Sequence, residues 1–200
     1  MAEKLKLAVF ASHGGTDLQS IIDAARDEDY PARIVLMVSN NKNAFAVQRA
    51  KNASIPTVIW QKKKFDDDKD YTEYMTNLLK EYEVDLICLA GYMKMIPAEI
   101  VRNFRIINIH PALLPKYGGK GMYGMRVHEA VLKAGERISG ATVHQVNEKY
   151  DEGKVLAQWE VPVKEDDNPE TLQKRVLEKE HKLYPDTIAK IARGEIELNG

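Results

Sequence analysis

The sequence predicts an α/β fold: a Rossmann-like, mostly parallel sheet flanked by helices, with a C-terminal antiparallel hairpin and a long final helix. Strand-like aliphatic runs alternate with helix-like apolar stripes as far as His110, two β-favouring runs follow, and a capped helical pattern ends the chain. Parallel strands need crossover connections, usually helices, so the alternation favours a parallel sheet. At 200 residues, we expect one domain spanning residues 1–200.

The first predicted unit is a strand, a loop and a helix. Residues from Leu5 to Ala11 are aliphatic and β-favouring, and the polar, Gly-rich stretch Ser12–Asp17 follows them. Apolar residues then recur at the i, i+3, i+4, i+7 spacing of a helix with one buried face, namely Leu18, Ile21, Ile22 and Ala25. This unit sets the pattern for the following segments.

The alternation continues through the middle of the chain. Further strands are predicted at Arg33–Ser39, Thr57–Trp60, Asp85–Ala90 and Arg105–His110. Helices are predicted between them, around Ala44–Ala53, around Asp70–Tyr82 and from Pro97 onward.

The C-terminal part has a different pattern. A helix is predicted at Val127–Lys133, and Ser139–Val146 and Val155–Val163 are typical of an antiparallel hairpin with a long loop between them. Asn168 can cap a last helix with Pro169 at its first position. We expect that helix to run toward Gly194 with a kink at Pro185.

Composition and charge exclude several classes of protein. The 29 basic and 30 acidic residues nearly cancel, so no overall basic field exists to hold a nucleic acid or an anionic membrane. The single cysteine, Cys88, lies in an apolar run, which favours a buried thiol in a reducing compartment. No apolar run approaches the ~18 residues of a membrane span. We therefore expect a cytoplasmic protein without nucleic-acid or membrane partners.

The loop Ser12–Leu18 is a candidate anion site. It joins the carboxyl end of a strand to the start of a helix, where free N–H groups and the helix dipole favour an anion such as phosphate. Gly14 and Gly15 would let backbone amides approach it, and the hydroxyl of Thr16 could add a donor. The alternative is a plain turn in which Thr16 or Asp17 caps the helix.

Asn108 and His110 form the second candidate site. Residues two apart on a strand point to the same face, so these side chains lie together at the strand's carboxyl end. An amide that stabilises an oxyanion beside an imidazole that moves a proton suits acyl transfer. The alternative is that His110 only caps the strand and Asn108 satisfies backbone groups.

A third candidate is Asp151, in the loop Asn147–Gly153, which could reach His110 and hold its charged form. The alternative is a solvated surface carboxylate. No serine or cysteine nucleophile stands beside Asn108 and His110, and no histidine, cysteine or carboxylate set has metal-ligand spacing. An amine nucleophile supplied by a substrate then becomes the favoured chemistry.

Together these motifs resemble a known family. Asn108-Ile-His110 before Pro111–Pro115, with Asp151 downstream of Thr142-Val-His144, is similar to the signature of formyltransferases that use 10-formyltetrahydrofolate. The whole chain resembles the members that formylate glycinamide ribonucleotide in purine biosynthesis. The resemblance implies 10-formyltetrahydrofolate as a formyl-donating cosubstrate, no metal, and a monomer or homodimer acting on small molecules in one-carbon metabolism.

The resemblance also implies roles for individual residues. Asn108 would polarise the formyl oxygen, His110 would move the proton, and Asp151 would favour the protonated form of His110. The ribonucleotide would contact Gly15, Thr16, Asp17, Leu177, Glu178, Lys179 and Glu180. The folate would contact Met93, Lys94, Met95, Ile96, Asn108, Asn147, Glu148, Lys149, Tyr150 and Asp151.

This chain departs from the family pattern at several positions. Asp17 stands where the family commonly has asparagine, and Lys94 replaces a usual arginine, keeping the charge but losing the planar fork. Asp68, followed by Lys69, occupies the place of an arginine that contacts folate. Gly118 replaces a usual proline.

Rival functions make different demands on the sequence. Formyltetrahydrofolate deformylase generally adds an N-terminal regulatory domain, and methionyl-tRNA formyltransferase adds a C-terminal RNA-binding domain; we expect neither to fit within 200 residues. A non-catalytic folate- or nucleotide-binding module would not need Asn108, His110 and Asp151 together. Of the other histidines, we expect His128 on a surface helix and His144 in a structural role.

Overall fold

The computed structural model describes residues 3–198, and its elements follow the predicted alternation. The strands are β1 (Leu5–Phe10), β2 (Ala32–Ser39), β3 (Thr57–Ile59), β4 (Leu86–Leu89), β5 (Ile106–His110), β6 (Ile138–Gln145) and β7 (Val155–Pro162). The helices are α1 (Thr16–Ala24), α2 (Phe45–Asn52), α3 (Asp68–Glu81), α4 (Ala98–Asn103), α5 (Met125–Lys133) and α6 (Pro169–Ala192), with a short 3₁₀ turn at Lys62–Lys64.

The seven strands form one sheet in the order β3-β2-β1-β4-β5-β6-β7. Neighbours from β3 through β5 pair in parallel, whereas β6 pairs antiparallel with β5 and β7 antiparallel with β6. This arrangement confirms the predicted fold class. The strand order reverses direction between β1 and β4, and in open α/β sheets a crevice for ligands forms at such a point, outside the carboxyl ends of the strands.

The core occupies both faces of the sheet, and β1 shows how. Leu7 and Val9 pack on one face in a cluster that includes residues of α1, α2 and α6, while Ala8 and Phe10 pack on the other face with residues of α3 and α4. A strand buried on both faces needs apolar residues at consecutive positions, which is why β1 is an unbroken apolar run. Cys88 is buried in the first cluster, and its burial raises the pKa of the thiol well above its usual value.

Helix α6 begins with the predicted cap. The side chain of Asn168 accepts a hydrogen bond from the backbone N–H of Thr171, the hydroxyl of Thr171 accepts one from the N–H of Asn168, and Pro169 takes the first turn. The helix includes Pro185 and continues to Ala192. Among residues 3–198, no helix combines the length and apolar character needed to cross a membrane.

Tyr184 fixes α6 to the sheet. Its buried hydroxyl donates to the carbonyl oxygen of Leu89, at the end of β4, at 3.0 Å, and lies 3.3 Å from that of Ile107 in β5. Burial raises the pKa of Tyr184 well above its usual value, so the hydroxyl keeps the proton that it donates. Helix α6 is thereby held at Tyr184 beside β4 and β5.

Candidate active site

A cavity of about 610 Å³ opens at the carboxyl ends of β4 and β5 and beside Asp17 of α1. Asn108, His110 and Asp151 all line it, and so do two histidines for which the sequence suggested no chemistry, His128 and His144. The structure therefore brings the three predicted catalytic side chains into one space. Within the described range 3–198, no three histidine, cysteine or carboxylate side chains are grouped to hold a metal ion.

The alternation of β5 places Asn108 and His110 side by side. Ile107 and Ile109 are buried in the core cluster shared with α1 and α6, and Asn108 and His110 line the cavity, whose wall Ile109 also reaches. Pro111 follows directly, and the strand ends at His110. A local strand pattern is therefore sufficient to aim both polar groups at the same space.

Two contacts set the state of His110. Its Nε2 lies 2.8 Å from the carbonyl oxygen of Tyr117, which can only accept, so in the neutral ring Nε2 carries the hydrogen and Nδ1 has a free lone pair. Nδ1 lies 3.7 Å from Oδ2 of Asp151. Burial lowers the pKa of His110, although the charge of Asp151 opposes this effect. Asp151 thus favours the protonated form of His110, but desolvation of the 4% exposed ring is the larger effect and favours the neutral form in the resting site.

Asp151 is held by a backbone N–H and lies beside two imidazole rings. The backbone N–H of Gly119 donates to its Oδ2 at 2.8 Å, and Nε2 of His144 lies 3.4 Å from Oδ1. Burial alone would raise the pKa of Asp151, but His144, the charge of His110 and the Gly119 N–H together bring it below its usual value. The carboxylate is therefore ionised at neutral pH. A Cβ on Gly118 would lie 3.1 Å from Cβ of Asp151, so the glycine leaves room for this approach.

His144 was missed as a site residue. In the antiparallel register of β5 and β6 it stands opposite Asn108, and its Nε2 lies 3.1 Å from Nδ2 of Asn108. Its Nδ1 donates to the carbonyl of Gln145 at 3.1 Å. The ring therefore lies between Asn108 and Asp151, with Nε2 as the acceptor for the Asn108 amide. The alternating Thr142-Val-His144 pattern was the signal, but it becomes informative only when β6 is paired with β5 in this register.

His128 lies in the cavity wall and not on the surface. The expectation of a surface helix was wrong because α5 turns Val127, His128 and Val131 inward, leaving His128 only 2% exposed. Burial, followed by the charge of His110, lowers the pKa of His128 to about 4. The ring is therefore neutral at pH 7.

The residues expected to contact folate form two walls of the cavity. One wall is the loop after β4, with Met93, Lys94, Met95 and Ile96, and the other is the loop between β6 and β7, with Asn147, Glu148, Lys149, Tyr150 and Asp151. Ser12, just after β1, positions the first wall. Its Oγ accepts a hydrogen bond from the backbone N–H of Met93 at 2.8 Å and donates to the side chain of Asn40.

Of the four α6 residues expected to contact the ribonucleotide, only two line the cavity. Leu177 and Glu180, three positions apart and thus on one helix face, line the cavity, whereas Glu178 and Lys179 are not in its lining. The ammonium group of Lys179 lies 4.6 Å from the ring centroid of Trp159. The sequence proximity of the four residues did not indicate which of them face the cavity.

Of the three residues expected to contact the ribonucleotide at the start of α1, only one lines the cavity. Asp17 lines the cavity, whereas Gly15 and Thr16 form the start of α1 outside its lining. Gly15 caps the helix at φ 67°, without a side-chain hydrogen bond to its first turn. A Cβ at Gly15 would lie 2.5 Å from Cβ of Ala46, so close packing against α2 also requires glycine.

Two buried carboxyl groups close the α1 and α6 side of the cavity. Burial raises the pKa of Asp17 to about 7, and burial together with the charge of Asp17 raises the pKa of Glu180 well above its usual value. Oδ1 of Asp17 has no hydrogen-bond partner among the described residues, and Nε2 of His181 is 4.0 Å away. This side of the cavity is therefore much less anionic than its residue types suggest.

Comparison with known proteins agrees with the site geometry. The formyl transferase family model matches residues 5–188. A curated Arabidopsis thaliana protein, phosphoribosylglycinamide formyltransferase, chloroplastic, is 45% identical over 195 residues, covering 96% of this chain and 67% of that protein. The Haemophilus influenzae phosphoribosylglycinamide formyltransferase is 38% identical over 195 residues, covering 96% of this chain and 90% of that protein.

A solved structure gives the same picture. The crystal structure of glycinamide ribonucleotide transformylase 1 from Symbiobacterium toebii superposes with a TM-score of 0.91 at 33% identity, covering 100% of this chain and 93% of that one. Sequence and structure thus match over nearly the whole length. The chain belongs to the formyl transferase family.

Proposed function

We propose that this protein transfers the formyl group of 10-formyltetrahydrofolate to the amine of glycinamide ribonucleotide, giving formylglycinamide ribonucleotide and tetrahydrofolate in purine biosynthesis. The observation that carries this proposal is the meeting of Asn108, His110 and Asp151 in one cavity large enough for a small-molecule substrate. The names of the plant and bacterial relatives support the same reaction.

Asn108 stabilises the charge that develops on the formyl oxygen. The substrate amine attacks the formyl carbon, a C–N bond forms, and the carbonyl oxygen becomes an oxyanion. The amide nitrogen of Asn108 has two hydrogens, so one can donate to Nε2 of His144 while the other donates to the oxyanion. His144 thereby acts as a positioning residue for the amide.

His110 moves the proton between the two nitrogens of the reaction. The free lone pair of Nδ1 accepts the proton that the amine loses on attack, and the resulting imidazolium is stabilised by Asp151, 3.7 Å away. His110 then gives this proton to N10 of the folate as the bond between the formyl carbon and N10 breaks. A neutral resting His110 suits this order because the first step needs a base.

The two substrates occupy opposite parts of the cavity. We place the pterin of the folate between the loop of Met93, Lys94, Met95 and Ile96 and the loop of Asn147, Glu148, Lys149, Tyr150 and Asp151. The ribonucleotide phosphate takes the backbone N–H groups of Gly15, Thr16 and Asp17 at the start of α1. Its ribose lies along Leu177–Glu180, where Glu180 faces the cavity and can bind the hydroxyls.

The setting of the reaction is part of the proposal. We place the protein in the cytoplasm, acting on small molecules as a monomer or homodimer, with residues 1–200 as a single formyltransferase domain. The near balance of 29 basic and 30 acidic residues supports the absence of a nucleic-acid or membrane partner.

A two-substrate assay tests the proposed reaction. Tetrahydrofolate formation is followed by absorbance with 10-formyltetrahydrofolate alone and with glycinamide ribonucleotide added. We expect turnover only when both are present. Turnover with the folate alone would indicate a deformylase-like hydrolase, and binding of both compounds without turnover would indicate a non-catalytic module; each result contradicts the proposal.

Replacing either reacting side chain tests the mechanism. We expect Asn108→Ala and His110→Ala each to lower kcat by about 10²- to 10³-fold, because each removes a group that stabilises the transition state or moves its proton. Steady-state rates with both substrates, alongside circular dichroism to verify folding, provide the measurement. Asn77→Ala, on the exposed face of α3, is the matched control. Folded variants that retain parental turnover would contradict these roles.

A further inference from the structure

His128 is a buried polar side chain without a protein partner. It is 2% exposed, and its Nδ1 has no hydrogen-bond partner within residues 3–198. Leaving a buried polar group unpaired costs about 1–3 kcal/mol, a cost that an apolar residue of similar size would avoid. The ring also lines the cavity, so a bound ligand can supply the missing partner once the ring turns its nitrogen toward that space.

The surroundings of His128 locate that ligand. The ring lines the same cavity as His110, and the charge of His110 contributes to the lowered pKa of His128. Its helix, α5, packs against α6, which contributes Leu177 and Glu180 to the cavity. His128 therefore faces the same space as the reacting imidazole and the wall that we assign to the ribonucleotide.

The charge state of His128 indicates what it binds. A neutral imidazole offers one N–H donor and one acceptor, which suits an uncharged polar group better than a phosphate or an ammonium. A charged ring here would also oppose the protonation of His110, since two cations in a buried site repel each other strongly. The histidine is therefore suited to binding, and His110 to proton transfer.

The chemistry of the substrate leaves one polar group without a partner. Glycinamide ribonucleotide carries, in order, a phosphate, a ribose, a carboxamide and an amine. The proposed function assigns the phosphate to the start of α1, the ribose hydroxyls to Glu180 and the amine to His110. We propose, resting on that function, that His128 hydrogen-bonds the carboxamide of the ribonucleotide and so positions the adjacent amine for attack.

Removing the ring nitrogen tests this contact. We expect His128→Leu to raise both Kd and KM for glycinamide ribonucleotide about 10-fold while leaving KM for 10-formyltetrahydrofolate unchanged. The Kd of ribose 5-phosphate, which lacks the carboxamide, should not change. The free variant should be at least as thermally stable as the wild type, because an unpaired polar group has been removed. His128→Asn, which retains an amide near Nδ1, should recover part of the affinity.

Other outcomes would overturn the proposal. An unchanged Kd for the ribonucleotide in His128→Leu, or an equal loss of affinity for ribose 5-phosphate, would leave His128 only a packing role. Val131→Ala is the matched control: Val131 is buried on the same helix but lies outside the cavity lining, so the variant should lose stability and keep both KM values.

Two further measurements keep the test decisive. If His128→Leu does not fold, ring-nitrogen NMR shifts of the wild type replace it: His128 should respond to glycinamide ribonucleotide and not to ribose 5-phosphate, and the absence of a selective response would overturn the contact. If the wild type binds the ribonucleotide without formylating it, the proposed function fails, while the comparison of Kd values between the wild type and His128→Leu still decides on His128. A wild type that does not bind the ribonucleotide contradicts both.

Discussion

Burial raises the pKa of the Asp17 carboxyl group, and its Oδ1 has no hydrogen-bond partner among the described residues. The charge of Asp17 also raises the pKa of the second buried carboxyl group, Glu180. A phosphate bound at the start of α1 would be repelled by an ionised Asp17, so a neutral carboxyl favours the proposed ribonucleotide site. Burial thus raises the protonated fraction of Asp17, which reduces this repulsion.

The pH dependence of stability tests the state of Asp17. Burial raises its pKa from 3.8 to about 7, so its contribution to stability is complete below about pH 4 and is lost as the pH rises through 7. Asp17→Asn removes this titration. We expect the unfolding free energy of the variant, relative to the wild type, to increase between pH 4 and 8 by no more than about 4 kcal/mol.

Urea denaturation of both proteins at several pH values measures this difference. Asp23→Asn, which changes an exposed carboxyl on the same helix, controls for the general effect of losing a negative charge. A pH-independent difference for Asp17→Asn would show that the folded and unfolded states bind protons at this residue equally.

Single residues also mark the limit of what could be predicted. Asn108 and His110 could be placed together because a strand alternates with period two, a property of the local sequence. His144 required the register between β5 and β6, and His128 required the rotation of α5 about its own axis, which packing against α6 and the sheet determines. Neither quantity is encoded in a short segment of sequence, so both histidines were misjudged.

At the level of elements, the turn between β1 and α1 depends on one glycine. We expect Gly15→Ala to lower the unfolding free energy by about 2–3 kcal/mol, because φ is 67° there and the new Cβ would meet Ala46 at 2.5 Å. The shift of the first turn should also raise KM for the ribonucleotide, whose phosphate we place there. Chemical denaturation and steady-state kinetics measure the two effects.

Its neighbour provides the matched comparison for stability. A Cβ on Gly14 would have no heavy atom within 4 Å, and the φ angle of Gly14 is not positive. Gly14→Ala should therefore change the unfolding free energy by less than about 1 kcal/mol. Equal losses for the two variants would mean that neither the backbone angle nor Ala46 constrains the turn.

The elements themselves were more predictable than their relative placement. The capping box of Asn168 and Thr171 and the long apolar pattern after it identify α6 from the sequence alone. Which residues of α6 face the cavity could not be identified in this way. Leu177 and Glu180 line it, and Glu178 and Lys179 do not, because the contacts of α6 with α1, α5 and the sheet set its rotation.

In the whole molecule, the site is assembled from distant parts of the chain. Asn108 comes from β5, His144 from β6, Asp151 from the loop between β6 and β7, and Glu180 from α6, which lies beside β4 and β5. Long-range contacts must therefore hold these elements in register if the cavity is to bind two substrates. Tyr184 supplies such a contact, since its hydroxyl joins α6 to the carbonyl oxygens of Leu89 and Ile107.

Removing that hydroxyl tests the link between the fold and the site. We expect Tyr184→Phe to lower the unfolding free energy by about 1–2 kcal/mol, because the buried carbonyls of Leu89 and Ile107 lose a donor. We also expect KM for the ribonucleotide to rise more than KM for the folate, since α6 carries Leu177 and Glu180 to the proposed ribonucleotide wall. Tyr74→Phe, at an exposed position on α3, should change neither quantity. A Tyr184→Phe variant with parental stability and kinetics would mean that the packing of α6 alone, without this hydrogen bond, positions the wall.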